Sequence, residues 1–400
     1  MTDAKHILIK FKERIFKKDE KEIGTALDSM NRIMKFINFF AQIPGLRFTD
    51  GWKKSYKILN AAFMNFLALA LGIYSLYVTF PSTDNIILVG GLACITTVST
   101  KLACVTRNHD KFMSVLKFIF KVFKTNSSGP RERILMDITK KIHYHLKINI
   151  LGFVAGFFCY SAYPFYDCIF NGQLTLPSPV LVPGVNPNHL RGFFITNLVN
   201  MVIMLFCITI CIATSSLFFV FVDAYYGLVS LIEHDFETFD KMCAQEASSR
   251  TKDVYFRNIM MGLMDLARFN SYMNELYGLI STVQITVSYI VVVCCAAAFL
   301  AFSYGSGLGG CVSFYTELLI FCYMGQLLDN MNKRIVTVIC NAKWYTYDVK
   351  YQKDMMMVLY TVQNMQPILL GNMFPLNFHT GLRITNNIYS LIMFMVEMFN

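Results

Sequence analysis

Residues 60–80 read NAAFMNFLALALGIYSLYVTF, a run without a single charge. A helix needs about 20 mostly apolar residues to cross the hydrocarbon of a bilayer, so this stretch by itself predicts a membrane-spanning helix. Working outward along the chain, comparable runs occupy 86–105, 148–170, 193–222, 276–304 and 312–328, and an interrupted one extends over 351–399. The 400 residues are 55% hydrophobic and only 16% charged, against about 25% charged in soluble domains. A water-soluble enzyme, a disordered chain and a disulfide scaffold are excluded together, because the apolar residues come in long blocks. The sequence predicts an all-α membrane protein of seven transmembrane helices, with the last one broken.

Orientation follows from Lys and Arg, which concentrate in short cytoplasmic loops. Of 36 such residues, 34 fall before the first run, between the second and third (Lys101 to Lys147), between the fourth and fifth, or between the sixth and seventh. The exceptions are Arg191 and, inside the seventh run, Arg383. This pattern predicts a cytoplasmic N-terminus and an extracellular C-terminus, the inverse of a G-protein-coupled receptor. The formal charge of +10 then reads as a rim facing anionic lipid and needs no nucleic acid. The N-terminus lacks the apolar core of a cleavable signal, so the first span is expected to act as its own insertion signal.

The connections carry further expectations. Pro177, Pro179, Pro183 and Pro187 stiffen the second outer loop, which predicts a lid over an outward cavity. At Lys111–Lys124, Phe112, Val115, Leu116 and Phe120 share one face, so helices should protrude below the bilayer. Residues 305–310, GSGLGG, formally fit a dinucleotide fingerprint. The apolar run before them is far too long for a strand, so a tight turn is expected. Asn126 heads a glycosylation sequon on the side where it would be silent. His143 and His145 lie among lysines and read as a solvated helix end. Gly152 and Gly156, four apart, read as close helix packing. Cys168 and Cys311 sit near the outer surface, where one disulfide is conceivable. No esterase elbow, zinc-protease helix or intramembrane carboxylate pair is present, so no enzymatic activity, metal or cofactor is expected. Glu317, the one acid in the outer part of the sixth run, is either pocket wall or the counter-ion of Arg383.

The final seventy residues are the most distinctive. Trp344 and Tyr345 precede a helical stretch from Lys350 to Met365; Gln366 and Pro367, Gly371, and Phe374 to Leu376 follow, then a last apolar helix with Tyr389 and Ser390. This succession resembles the C-terminal signature of insect odorant receptors. Chain length, the proline-bearing second outer loop and the short third outer loop agree with it. The co-receptor of that family is similar but carries a large insertion in the second cytoplasmic loop, which is missing between Asp223 and Glu275. Gustatory receptors end in a Thr-Tyr pattern, whereas this chain reads Ile388-Tyr389-Ser390. The resemblance implies an odorant-tuning subunit in the plasma membrane that forms a tetrameric cation channel with the co-receptor and binds a volatile hydrophobic ligand. A gustatory-receptor-like channel, and less so a seven-helix transporter, are the alternatives.

The resemblance divides the chain into a cytoplasmic segment (1–57), six spans with the pocket in their outer halves (58–330), a cytoplasmic anchor (331–370) and a pore-lining helix (371–400). It places the ligand among the second, third, fourth and sixth spans, where helical spacing nominates Ile87, Gly91, Phe157, Tyr160, Ser161, Asn197, Met201, Phe314, Glu317 and Leu318. Tyr160, Ser161 and Asn197 are the candidates to orient a ligand oxygen. In the last helix Ile384, Ile388 and Leu391 repeat on one face and can form an apolar gate or pack on neighbouring helices; Asn387, with Asn386, is expected to face protein or the conduit.

Overall fold

A computed structural model of the chain describes residues 24–48, 56–80, 85–245, 248–302 and 304–399. Within these, helices dominate: α1 (Ala26–Ala41), α2 (Tyr56–Thr79), α3 (Asn85–Arg107), α4 (His109–Thr125), α5 (Gly129–Tyr166), α6 (Leu190–Ala244), α7 (Ser249–Phe302), α8 (Gly307–Asn341), α9 (Val349–Gln363) and α10 (Phe378–Phe399). Six of them, α2, α3 and α5 to α8, are long and apolar enough to cross a membrane, and α10 completes the seven. Residues 1–23 of the predicted N-terminal segment lie outside the described residues.

Helices α5 to α8 run well past their apolar stretches, as the protruding-helix expectation required. α6 has 55 residues and α7 has 54, at 1.5 Å per residue far more than a ~30 Å hydrocarbon core can hold. Their extensions, with α1, α4 and α9, build a helical mass at the basic end of the bundle. α1 opens with a capping box in which the Thr25 and Asp28 side chains each satisfy the other's backbone N–H. It buries Met30, Ile33, Met34 and Ile37. α4 buries Phe112, Val115, Leu116, Ile119 and Phe123; three of the four residues anticipated from its periodicity are among them, and Phe120 is half-buried.

The core is centred on α6, whose middle is covered on every side. Phe218 stacks on Phe321 of α8 at 5.0 Å and lies 4.6 Å from Tyr277 of α7. These rings bring large apolar areas together in the offset geometry their quadrupoles favour. Gly156 of α5 is a contact point of the kind foreseen: a Cβ there would fall 1.7 Å from Ser313 Oγ, so only glycine lets α5 and α8 meet.

The interrupted last stretch resolves into α9, a small hairpin and α10. Leu369–Leu370 pairs antiparallel with Phe374–Pro375, and Gly371 and Asn372 turn the chain at φ 56° and 59°, the left-handed region open to Gly and tolerated by Asn. Three amides fasten the approach: Asn270 and Asn274 of α7 and Asn332 of α8 all donate to the Gln366 carbonyl.

Several expectations are corrected. Cys168 and Cys311 are both free thiols. His145 is no solvated residue, because α5 turns it inward, where its Nδ1 lies 2.7 Å from Asp223 Oδ2. A carboxylate only 1% exposed needs such a partner; His143 stays at the surface. Lys101 does not belong to the basic rim but is buried within α3.

Candidate functional site

At the end of the bundle opposite the basic mass, α2, α3, α5, α6, α7 and α8 separate around a cavity of about 110 Å³. Its wall is mainly aliphatic carbon and sulfur. Ile87, Gly91 and Ile95 come from α3, Met204 and Cys207 from α6, Val291 and Cys295 from α7, and Phe314 from α8. Gly91 leaves the most room, since a Cβ there would meet no atom within 4 Å.

The roof is the proline-bearing segment 172–189, here called the strap. Pro164 and a short π-turn (Asp167–Asn171) end α5. The Asp167 carboxylate then accepts from Asn171 Nδ2 and Thr175 Oγ1, both at 2.7 Å, and starts the strap's course. Asn200 Nδ2 of α6 donates to the Ser178 and Val180 carbonyls at 3.3 and 3.4 Å. The Leu181 N–H donates to Ser75 Oγ of α2 at 2.7 Å, and the Tyr304 hydroxyl donates to the Leu176 carbonyl. Three helices or helix ends thus hold one loop, and the strap lies over the cavity.

Of the nominated residues the cavity gathers Ile87, Gly91, Tyr160 and Phe314. Phe157 and Ser161, Asn197 and Met201, and Glu317 and Leu318 lie outside its lining, and Leu318 is fully in the core. On α6 the lining falls on Asn200, Ile203, Met204 and Cys207. That face is rotated from the nominated one, and an all-round apolar helix gives no periodicity from which to find it.

Glu317 takes a different part. One turn beneath Phe314, its Oε1 lies 2.6 Å from Lys101 Nζ and accepts from Ser215 Oγ at 3.0 Å. The two charges are 1% and 3% exposed. Arg383, proposed as its alternative partner, instead places its guanidinium 5.8 Å from the Phe374 ring. A buried ion pair between α3 and α8, bonded also to α6, therefore lies below the cavity, where each charge is tolerable only because of the other.

For the last helix, gate and packing were both open. α10 turns Ile384, Ile388 and Leu391 toward the bundle, with Ile388 only 4% exposed. Gly381 allows this approach: its Cβ would lie 2.9 Å from Cys322 Sγ. Outward faces a polar stripe at helical spacing, His379, Arg383, Asn386, Asn387 and Ser390.

At the basic end, α9 is moored by two phenols. Tyr347 donates to Asp240 Oδ1 at 2.5 Å and Tyr351 to Asp253 Oδ1 at 2.8 Å, their rings edge-on to Phe239. Burial first, and then the Asp253 bond, pushes the Tyr351 hydroxyl up to about 12, so it is a steady donor at neutral pH. A wider hollow of about 340 Å³ beside α9, lined by Asn270, Asn274, Thr361 and Asn364, is open and polar and does not suit a hydrocarbon.

The long apolar helices and the apolar cavity between them are those of a multi-pass membrane protein. Residues 89–389 match the family model described as 7tm Odorant receptor, and the chain belongs to that family. Its fold is similar to that of the insect olfactory receptor OR5 from Machilis hrabei, with a TM-score of 0.74 at 12% identity, covering 93% of this chain and 99% of that one. The structure of the same receptor in complex with eugenol superposes with a TM-score of 0.73 over the same shares of both chains, also at 12% identity.

Proposed function

We propose that this chain is an odorant-tuning subunit of the plasma membrane whose roofed cavity binds a volatile, mostly apolar molecule and whose last helix, with those of partner subunits including the co-receptor, lines a cation-conducting pore. The observation that carries the reading is the apolar cavity beneath the strap, lined by Ile87, Gly91, Tyr160 and Phe314 among others. Such a pocket combines burial of apolar surface with a few polar groups that fix orientation. Each methylene buried contributes about 0.8 kcal/mol. The family's eugenol complex and the outward-facing C-terminal end predicted by charge support the same arrangement.

The outward stripe of α10 supports the pore. Arg383, Asn386, Asn387 and Ser390 are exposed on the isolated chain, and such groups in lipid are costly unless they meet water or another protein. A tetramer with the stripes turned inward solves this, with Asn387 on the conduit and the Ile384, Ile388 and Leu391 face as packing. Ligand binding opens the pore only to the extent that the ligand prefers the open arrangement.

The test is whole-cell current during a panel of volatile esters, terpenoids and ketones, in cells expressing this chain with and without the co-receptor, under G-protein block. Fast cation currents that need both chains and survive the block are expected. Currents that vanish under the block, or uptake of ligand without current, refute the channel reading.

A further inference from the structure

Resting on the ligand-pocket reading above, we propose that Ser306 is the specificity-determining group that binds the ligand's oxygen, and that the ligand is a small neutral molecule with an apolar body and one accessible lone-pair oxygen, such as a ketone, aldehyde or ester. Five lining side chains carry oxygen or nitrogen: Tyr160, Ser178, Asn200, Tyr304 and Ser306. Two of them hold the strap. Asn200 and Tyr304 donate to its carbonyls, and Ser178 belongs to it. Ser306 alone among these five has a buried oxygen without a partner, in a residue 2% exposed.

The position makes that idleness specific. Ser306 is the residue before α8, where serine ordinarily accepts an N–H of the first turn. Here its backbone is already helical, at φ −62° and ψ −23°, and the cap bond is not made. The amides it would have served are closed by the backbone: Gly307, Leu308 and Gly309 donate to the Tyr304, Gly305 and Ser306 carbonyls at 3.0 to 3.1 Å. A buried hydroxyl left unpaired is destabilising, and the pairing that relieves it can come from a molecule in the cavity it lines.

The chemistry of that molecule follows. A serine hydroxyl can donate or accept, but at a helix N-terminus the partial positive charge favours an acceptor in front of it. An anion finds no free cation in the lining, since Lys101 lies beneath the cavity and is held by Glu317. An ammonium finds no carboxylate there for the same reason. The volume of about 110 Å³ is of the order of a cavity that accepts benzene, roughly 150 Å³, so one ring or a short chain with a single oxygen fits it.

The experiment uses the full chain with the co-receptor and matched probes: methyl ketones, including acetophenone, each beside the alkene in which a methylene replaces the carbonyl oxygen. For the wild type, ketones should act at lower concentration than their alkenes. Ser306→Ala should raise the half-maximal concentration of an active ketone roughly tenfold, the value of one hydrogen bond, and leave its alkene unchanged. Ser306→Thr, which keeps the hydroxyl, should preserve the preference, and surface biotinylation normalises for expression. Equal shifts for ketone and alkene assign Ser306 to packing and overturn the proposal, as does no shift for either. Silence of the wild type to every probe and to the wider volatile panel instead refutes the ligand-pocket reading itself.

Discussion

Gly91 separates ligand binding from folding. A Cβ at this position reaches into open space, and Gly91 lines the cavity. Gly91→Ala should therefore meet no clash. It should stabilise α3 by up to ~1 kcal/mol, since glycine inside a helix is that much worse than alanine. The same methyl occupies ligand space. If the ligand forfeits the burial of one methylene, about 0.8 kcal/mol, sensitivity falls roughly fourfold; Gly91→Leu, with four carbons, costs about 3.2 kcal/mol and roughly two-hundredfold. Stability and sensitivity move in opposite directions, which a generally damaging mutation does not produce. The assay is a dose-response curve on cells with the co-receptor, beside fluorescence-detected thermal melting of the solubilised protein. Gly156→Ala is the contrast, because its Cβ would fall 1.7 Å from Ser313 Oγ and 3.0 Å from the Gly309 carbonyl, and surface protein should be lost. A Gly91→Leu receptor that responds like the wild type places the ligand elsewhere and refutes the reasoning.

The ion pair below the cavity should behave asymmetrically. Lys101→Met alone leaves Glu317 buried and uncompensated, at roughly 3–5 kcal/mol, whereas Lys101→Met with Glu317→Leu should recover most of the melting temperature; a double variant as unstable as the single one contradicts this. Ile388→Ala, truncating a residue in the core, should lower stability by about 2–5 kcal/mol and leave ion selectivity unchanged, while Asn387→Leu should change permeation with little loss of folding, as bi-ionic reversal potentials would record. Tyr351→Phe removes the bond to Asp253 and should loosen α9 by about 1 kcal/mol, read by hydrogen exchange. Because the folded hydroxyl is raised to about 12, its stabilisation is full below the unfolded value near 10 and declines only as pH climbs between the two; a loss of α9 protection between roughly pH 6 and 8 cannot come from it.

The spans were readable because hydrocarbon imposes a length and a composition, and a run such as 60–80 has no other use. The lid was readable from its prolines, and the amphipathic α4 from its period. What escaped was rotational phase and pairing. α6 is apolar around its whole girth, so nothing in its sequence distinguishes the face bearing Ile203 and Cys207 from the one bearing Asn197 and Met201. Lys101 and Glu317 are 216 positions apart, and a lysine at the end of an apolar run looks like the start of a cytoplasmic loop until its partner is seen. In α10 the Ile384, Ile388 and Leu391 face was visible, but packing decided its direction: the apolar edge met Cys322 and its neighbours, and the polar edge was left outside. Ser306 lay in the glycine-rich turn already recognised, where its ordinary task as a cap concealed the unpaired hydroxyl.

The length of α6 and α7 has a mechanical meaning. Each is an uninterrupted rod of about 80 Å by its residue count, bearing cavity wall near one end and the α9 moorings near the other. The crowded aromatic layer at Phe218 and Tyr277 sits near their midpoints, where a fulcrum would be. A tilt of about 2° over the roughly 40 Å on either side of it moves the far end by about 1.4 Å, enough to change a packed contact. Were a bound molecule to tilt them, the stiffness of these two helices, more than the volume of the cavity, would set how much of that motion reached the far end.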